Sequence, residues 1–243
     1  MINGHKWFTS GATGAAFAIV MCVTDPEGAP HRRMSQIIVF TDSPGFEIAR
    51  AVPVMGETNG AHCEIWYRDC RVPVTNTLGQ PGDGFLIAQK RLGPGRIHHC
   101  MRWLGQMQRA FELMCQRALS RVAFGSTLAQ KQTVQNWIAD SVAEIQSARL
   151  LTLYAAEKID KEEDARVEIS LIKFFGARIL HDVIDRAIQV HGALGVSGDT
   201  PLESMYRAAR AARIYDGPDE VHRMVVARRV LQAFSQGGAW EFD

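Results

Sequence analysis

No stretch of the 243-residue chain approaches the roughly 18 uninterrupted apolar residues that a membrane-spanning helix requires, so no integral membrane segment is expected. Charge of one sign is also missing. The chain has 27 Lys and Arg against 26 Asp and Glu, a formal net charge of +1. Affinity for a phosphate backbone comes from concentrated Lys and Arg, so a nucleic-acid partner is not expected. Cysteines are few: Cys22, Cys63, Cys70, Cys100 and Cys115 form no close CxxC pair. They read as free thiols, and no metal site is expected. There is no HExxH, no GxSxG with a following triad, no Walker GxxxxGK(S/T) and no GxGxxG opening a βαβ unit. Metalloprotease, hydrolase, P-loop and Rossmann readings therefore lack support. The opening MINGHKWF has no basic segment followed by an apolar one, so no targeting signal is read there.

What is present is ordinary globular material, 47% hydrophobic and 22% charged, enough for a substantial core. Its texture changes near Gly79 to Gly84, which divides the chain into an all-β part, residues 1–82, and a helical part, residues 83–243. Residues 15–72 carry the runs AFAIVMCV, QIIVF, FEIARAV and HCEIWY, rich in β-branched and aromatic residues. The turn sequences DPEG, TDSPG and GETNG separate them. HCEIWY partly alternates, which predicts Cys63, Ile65 and Tyr67 on a buried face and Glu64 and Trp66 opposite.

From Phe85 the period becomes helical. Leu104, Met107, Phe111, Met114 and Leu119 form one apolar stripe, and Val134, Ile138, Val142, Ile145, Leu150 and Leu153 a second. Further helices are predicted over about 165–189, 201–214 and 218–234, with Pro201 and Pro218 suited to a first helical turn. The fold class is thus α+β. The opening INGHKWFTSGA reads as the interior of a domain, because strands begin with no preceding cap or partner. It predicts that the chain is the later portion of something longer.

Two segments could carry chemistry. The glycines of HGALG, His191 to Gly195, either cap the preceding helix or let backbone approach a ligand such as a phosphate oxygen. In IYDGPDEVHR, Asp216 lies in a turn pinned between two helical runs. It is either a cap or turn aspartate, or a carboxylate general base that accepts a proton from carbon. His98 and His99 are adjacent and, on a helix, point about 100° apart. They cannot easily share a metal and read as surface or packing residues.

Six motifs in order then resemble one family, the flavin-dependent acyl-CoA dehydrogenases. INGHKWFTSGA is similar to the family's NGxKxWIT(N/S)GG strand, and RDCRVP with LGQPGDGF to its crossing from sheet to helices. RLGPGRI resembles the start of its first C-terminal helix, SRVAFGSTLAQKQTVQ its ER-x-x-F-G signature, QVHGALG its Q-x-x-GG-x-G, and IYDGPDEVHRMVVAR its IYEGTSEIQR segment. The aspartate followed by GPDEVH is similar to the subgroup of family members ten and eleven and bacterial relatives, which often act on long or branched acyl chains.

The resemblance implies the later half of a central β-domain followed by a C-terminal antiparallel four-helix bundle, usually assembled as a homodimer or homotetramer. FAD is the implied cofactor, acyl-CoA the substrate, and an electron-transfer flavoprotein the electron acceptor. It implies that Trp7, Phe8 and Thr9 border the isoalloxazine, and that Arg121, Phe124 and Gln132 reach the adenosine-diphosphate part of FAD. Gln189, Val190, His191, Gly192 and Ala193 match the pyrophosphate turn, with Ala193 where many relatives carry a second glycine. Pro218, Asp219 and Glu220 match FAD-side residues. Gly93, Pro94, Gly95, Arg96, Tyr215 and Gly217 match substrate positions. Asp216 stands at the base position, where most relatives have glutamate. Gly95 occupies the position from which a sister branch supplies its base. Nitroalkane oxidase shares the fold and an aspartate base and is an alternative reading, as is a silent piece that only oligomerises. Mitochondrion, peroxisome and bacterial cytoplasm all remain open as compartments.

Overall fold

A computed structural model describes residues 1–55 and 61–242, and the GETNG turn lies outside the described residues. Two compact units, Met1–Arg91 and Leu92–Asp243, make up the chain.

The first unit holds two antiparallel three-stranded sheets. One has the order β1 (Ile2–Ser10), β5 (His62–Cys70), β4 (Phe46–Ala51). The other has the order β2 (Phe17–Val23), β3 (Met34–Phe40), β6 (Thr77–Leu78), the last too short to show in the sequence pattern. Alternation along β5 is as expected: Cys63, Ile65 and Tyr67 are buried with Ile2, Val20 and Val39, while Glu64 and Trp66 face outward. In the β1–β5 pairing, Lys6 sits opposite Ile65 and Thr9 opposite Cys63. Two residues of β1, Trp7 and Phe8, therefore stand against the single Glu64. This is a bulge, a device that re-aims side chains out of the pleat.

The second unit is helical. α1 (Gly84–Ser120) is followed by a two-residue hairpin, β7 (Val122–Ala123) and β8 (Ser126–Thr127). Then come α2 (Gln132–Asp160), α3 (Arg166–His191), a 3₁₀ segment Gly192–Val196, α4 (Leu202–Ala211) and α5 (Asp219–Ser235). The expected helices are all present. Pro201 and Pro218 stand one residue ahead of α4 and α5, as caps whose carbonyls accept the first helical bonds.

α3 is central. Ile172, Ala177, Ile179, Leu180, Val183, Ile184 and Ala187 are fully enclosed as it packs on α2, α4 and α5. A helix apolar on most of its circumference has to be covered on most sides. Met107, Ala110, Met114 and Ala118 of α1 join the same core.

The stripes expected for α1 and α2 need correction. Met107, Met114 and Val134 are buried and Leu104, Phe111, Ile138 and Ile145 pack against the core as expected, but Leu119, Val142, Leu150 and Leu153 are exposed, and small residues, Ala118, Ser141, Ala148, Thr152 and Ala155, are buried in addition. Ser141, Ala148, Thr152 and Ala155 of α2 are small side chains buried among larger ones such as Val134, Ile138 and Ile145, and at those positions two helix backbones can approach closely. Enlarging Ala155 or Ala187, both at 0% exposure, would overpack that seam at a cost of roughly 1–3 kcal/mol.

Candidate active site

The turn from α4 to α5 is built around two left-handed residues, Asp216 at φ 53° and Gly217 at φ 106°. Aspartate tolerates that region better than most residues, because its short polar side chain can bond locally. Glycine is required next. A Cβ on Gly217 would sit 2.7 Å from His222 Nε2.

Side chains from three helices fix this turn. Arg96 of α1 donates through Nε to the Asp216 carbonyl at 2.9 Å, and His222 of α5 contributes a longer contact from Nε2 to the same oxygen at 3.3 Å. Lys173 of α3, at 0% exposure, donates through Nζ to Ala212 O at 2.7 Å and Gly217 O at 3.3 Å. It also lies 5.3 Å from the ring centres of both Trp103 and Tyr215. Trp103 Nε1 donates to the Tyr215 hydroxyl at 2.9 Å.

The Asp216 carboxylate projects from this frame with 22% of its side chain exposed, so it is held in place yet reachable. Its Oδ2 lies 3.0 Å from His99 Nε2. His99 packs 4.9 Å from the Tyr215 ring, and Arg102 reaches its Nδ1 at 2.5 Å.

Burial shapes the titrations. Desolvation pushes Lys173 down to about 8, against the raising influence of Cys100, Asp219 and Asp216. Burial pushes His222 down to about 4, helped by the nearby Arg96 cation. It pushes the Cys100 thiol up to about 12, so that thiol is no nucleophile near neutrality.

The expected substrate positions divide. Arg96, Tyr215 and Gly217 join Asp216. Gly93, Pro94 and Gly95 lie one turn earlier on α1, with open space where a Gly95 Cβ would be. Among the residues expected beside FAD in α5 and its cap, Pro218 and Glu220 are exposed, whereas Asp219 is enclosed at 1%. Asp219 Oδ2 takes the Arg213 guanidinium at 2.7 Å, and its Oδ1 has no partner among the described residues.

Other positions present groups to solvent. Trp7 and Phe8 are 59% and 50% exposed at the β1 bulge, packed edge to face at 5.0 Å, with Thr9 beside them half-buried. Phe124 and Gly125 form the tip of the β7–β8 hairpin, both at positive φ, as a two-residue turn of this twist requires. Phe124 is 99% exposed there, with Arg121 exposed at the hairpin's foot. Gln132 is exposed at the start of α2, its amide bonded to Asn136 at 2.8 Å. At the end of α3, Gln189, Gly192 and Ala193 are exposed, while Val190 and His191 turn inward, His191 donating through Nδ1 to Ala187 O at 2.8 Å. Gly192 at φ 65° caps α3, which is the first of its two sequence readings.

Three residues of the Asp216 frame were not singled out from sequence: His99, Lys173 and Trp103. Lys173 had a usable signal, a lone cation inside ISLIKFF. His99 is three residues after Arg96, on the same helix face. From sequence it reads as a surface or packing residue, and it does pack on Trp103 and Tyr215.

Comparison with known proteins agrees with this organisation. Residues 82–231 match the family model for the acyl-CoA dehydrogenase C-terminal domain, and residues 1–70 the model for the middle domain. The chain is 52% identical over 236 residues to "Probable acyl-CoA dehydrogenase FadE2" of Mycobacterium tuberculosis, covering 95% of this chain and 58% of that protein. It is 46% identical over 238 residues to acyl-CoA dehydrogenase family member 10 of Mus musculus, covering 96% of this chain and 22% of that one. It therefore spans less than two thirds of these relatives. Butyryl-CoA dehydrogenase from Megasphaera elsdenii superposes with a TM-score of 0.87 at 30% identity, over 94% of this chain and 60% of that structure. An α+β chain with matching middle and C-terminal domains, and with an aspartate presented between its last two helices, belongs to the acyl-CoA dehydrogenase family.

Proposed function

We propose that this chain carries the base and much of the cofactor site of an FAD-dependent acyl-CoA dehydrogenase. Its reaction is α,β-dehydrogenation of long or branched fatty acyl-CoA thioesters to trans-2-enoyl-CoA, as in fatty acid β-oxidation. The observation that supports it most is the Asp216 carboxylate, held in a left-handed turn by Arg96 and Lys173 and still accessible.

The groups left uncovered suit FAD. A half-exposed aromatic pair, Trp7 and Phe8, offers faces for a flat heterocycle. Arg121 offers a planar guanidinium for a diphosphate, and Phe124 an apolar surface for an adenine. Gln132 and the backbone of Gly192 and Ala193 add polar contacts, while Val190, His191 and Asp219 support them from the interior. When bound, FAD supplies the acceptor for the β-hydrogen, which leaves as hydride to N5. Asp216 removes the α-proton of the thioester, breaking the C–H bond and holding the proton on its carboxyl group. Arg96 fixes the backbone of that base, and Gly95 leaves room on α1 for the acyl-CoA beside Gly93 and Pro94. A homodimer or homotetramer would cover Val142, Leu150, Leu153 and Phe124, and an electron-transfer flavoprotein would reoxidise the enzyme.

The test is an absorbance spectrum of the purified protein, before and after anaerobic addition of a long-chain acyl-CoA. Bleaching of a flavin band, lost in Asp216→Asn with flavin retained, supports the reading. Colourless protein that takes up no FAD sinks it in favour of an oligomerising piece. CoA-independent oxidation of nitroalkanes sinks it in favour of a nitroalkane oxidase.

A further inference from the structure

We propose that His99 is the positioning residue of the Asp216 base, held by Arg102 as a neutral imidazole with its proton on Nε2. The inference deepens the reading of Asp216 as base and rests on it. It starts from an asymmetry of donors. A guanidinium has only donors, so the 2.5 Å contact from Arg102 requires His99 Nδ1 to be the acceptor. The ring proton is then on Nε2, and Nε2 donates to Asp216 Oδ2 at 3.0 Å.

The ring cannot easily swing away. It stacks on Trp103 with centroids 6.2 Å apart and planes 21° apart, and Tyr215 lies 4.9 Å from it on the turn. Its neutrality has causes on every packed element. Burial lowers its pKa first, Arg102 of α1 and Lys173 of α3 push the same way, and Asp216 opposes them. Arg96, Cys100 and the adjacent His98 ring of α1, Tyr215 of the turn, and Asp219 and His222 at the start of α5 are the other titratable and charged groups around it.

Two chemical consequences follow. A neutral donor orients the carboxylate without the loss of basicity that an imidazolium partner would impose. Oδ2 is occupied, whereas Oδ1 accepts no bond among the described residues, so Oδ1 is the atom that receives the α-proton. His99 keeps its own proton throughout and orients the base rather than relaying its charge.

The tautomer is read directly from nitrogen-15 spectra of histidine-labelled protein, which needs no turnover. The expected result is that His99→Gln removes one neutral, Nε2-protonated histidine signal across pH 6 to 8, while the like signal of His222 remains. A cationic ring at pH 7, or a proton on Nδ1, overturns the proposal. In the FAD-loaded protein, His99→Leu should lower kcat on the order of ten- to a hundredfold with KM within about twofold. The primary isotope effect from α-deuterated acyl-CoA should rise. His99→Gln should recover most of the rate, because its amide can donate from the Nε2 position. Equal loss in both variants, or none in His99→Leu, overturns the positioning role. If Asp216→Asn turns over normally, the base assignment fails and the role of His99 with it. An inactive Asp216→Asn beside an unimpaired His99→Leu overturns only the latter.

Discussion

Lys173 brackets Asp216: its ammonium reaches the carbonyl of Ala212 at 2.7 Å before the aspartate in sequence and that of Gly217 at 3.3 Å just after it. A cation sealed in the core is costly unless its donors are used. Here they hold the chain reversal that presents the Asp216 carboxylate.

Lys173→Met should separate stability from turnover. Methionine occupies a similar volume and removes the desolvation cost, while leaving two carbonyls without their donor. The two effects oppose each other and should leave stability within about 2 kcal/mol of wild type. Loss of the bracket should slow flavin reduction on the order of tenfold in single-turnover measurements. Unfolding of the variant at room temperature would show that the lysine holds the bundle and not just the turn.

Gly217→Ala should be among the most damaging single-methyl additions. It puts a side chain at φ 106° and a Cβ 2.7 Å from His222 Nε2. Backbone strain and the clash together should cost about 2–4 kcal/mol, read as a lowered denaturation midpoint. A midpoint equal to wild type would mean the turn relaxes freely.

Acid should weaken the protein partly through His222. Its pKa falls from 6.5 to about 4 on folding. A group depressed in the folded state contributes fully above its unfolded value, and the contribution is lost as pH falls through the window from 6.5 to 4. The amount is about 3 kcal/mol. As pH falls from 6.5 to 4, the melting temperature of wild type should therefore drop further than that of His222→Gln, which has no imidazole to charge. Parallel curves would remove His222 from the account.

Trp7→Ala should weaken FAD without weakening the fold. Trp7 is 59% exposed and lies at a bulge, so truncation removes little core packing. Stacking on an aromatic face contributes roughly 1 kcal/mol, so the dissociation constant should rise several-fold to tenfold. Flavin titration beside a melt of the FAD-free protein checks both halves, and an unchanged affinity would place the ring elsewhere.

The legible parts of this chain were those carried by local pattern. The alternation of Cys63, Ile65 and Tyr67 gave the buried face of β5, and the 3.6-residue period gave the run of helices. Side-chain size misled the assignment of the α2 face: Val142, Leu150 and Leu153 are apolar but outward, and Ala148 and Ala155 face the seam. Periodicity registers hydrophobicity, whereas close helix packing selects for smallness. The β7–β8 hairpin was too short to leave a period, although Phe124-Gly125 needs two positive φ angles. Asp216 was found through a motif. Arg96 also came with its motif, but His99 and Lys173 did not, because they meet this turn from positions 117 and 43 residues before Asp216 and belong to no motif.

The left-handed turn also sets how the proposed activity should be lost on heating. Only seven residues, 212–218, link α4 to α5, and the carboxylate sits near the end of that link. So short a tether gives the Asp216 carboxylate no independent freedom, and its aim is inherited from the seating of the two helices. Gentle heating that loosens α5 would misdirect Asp216 before the central helix α3 melts. Inactivation should thus precede global unfolding on a temperature ramp, and cooling should restore activity as long as the ramp stops short of the melt.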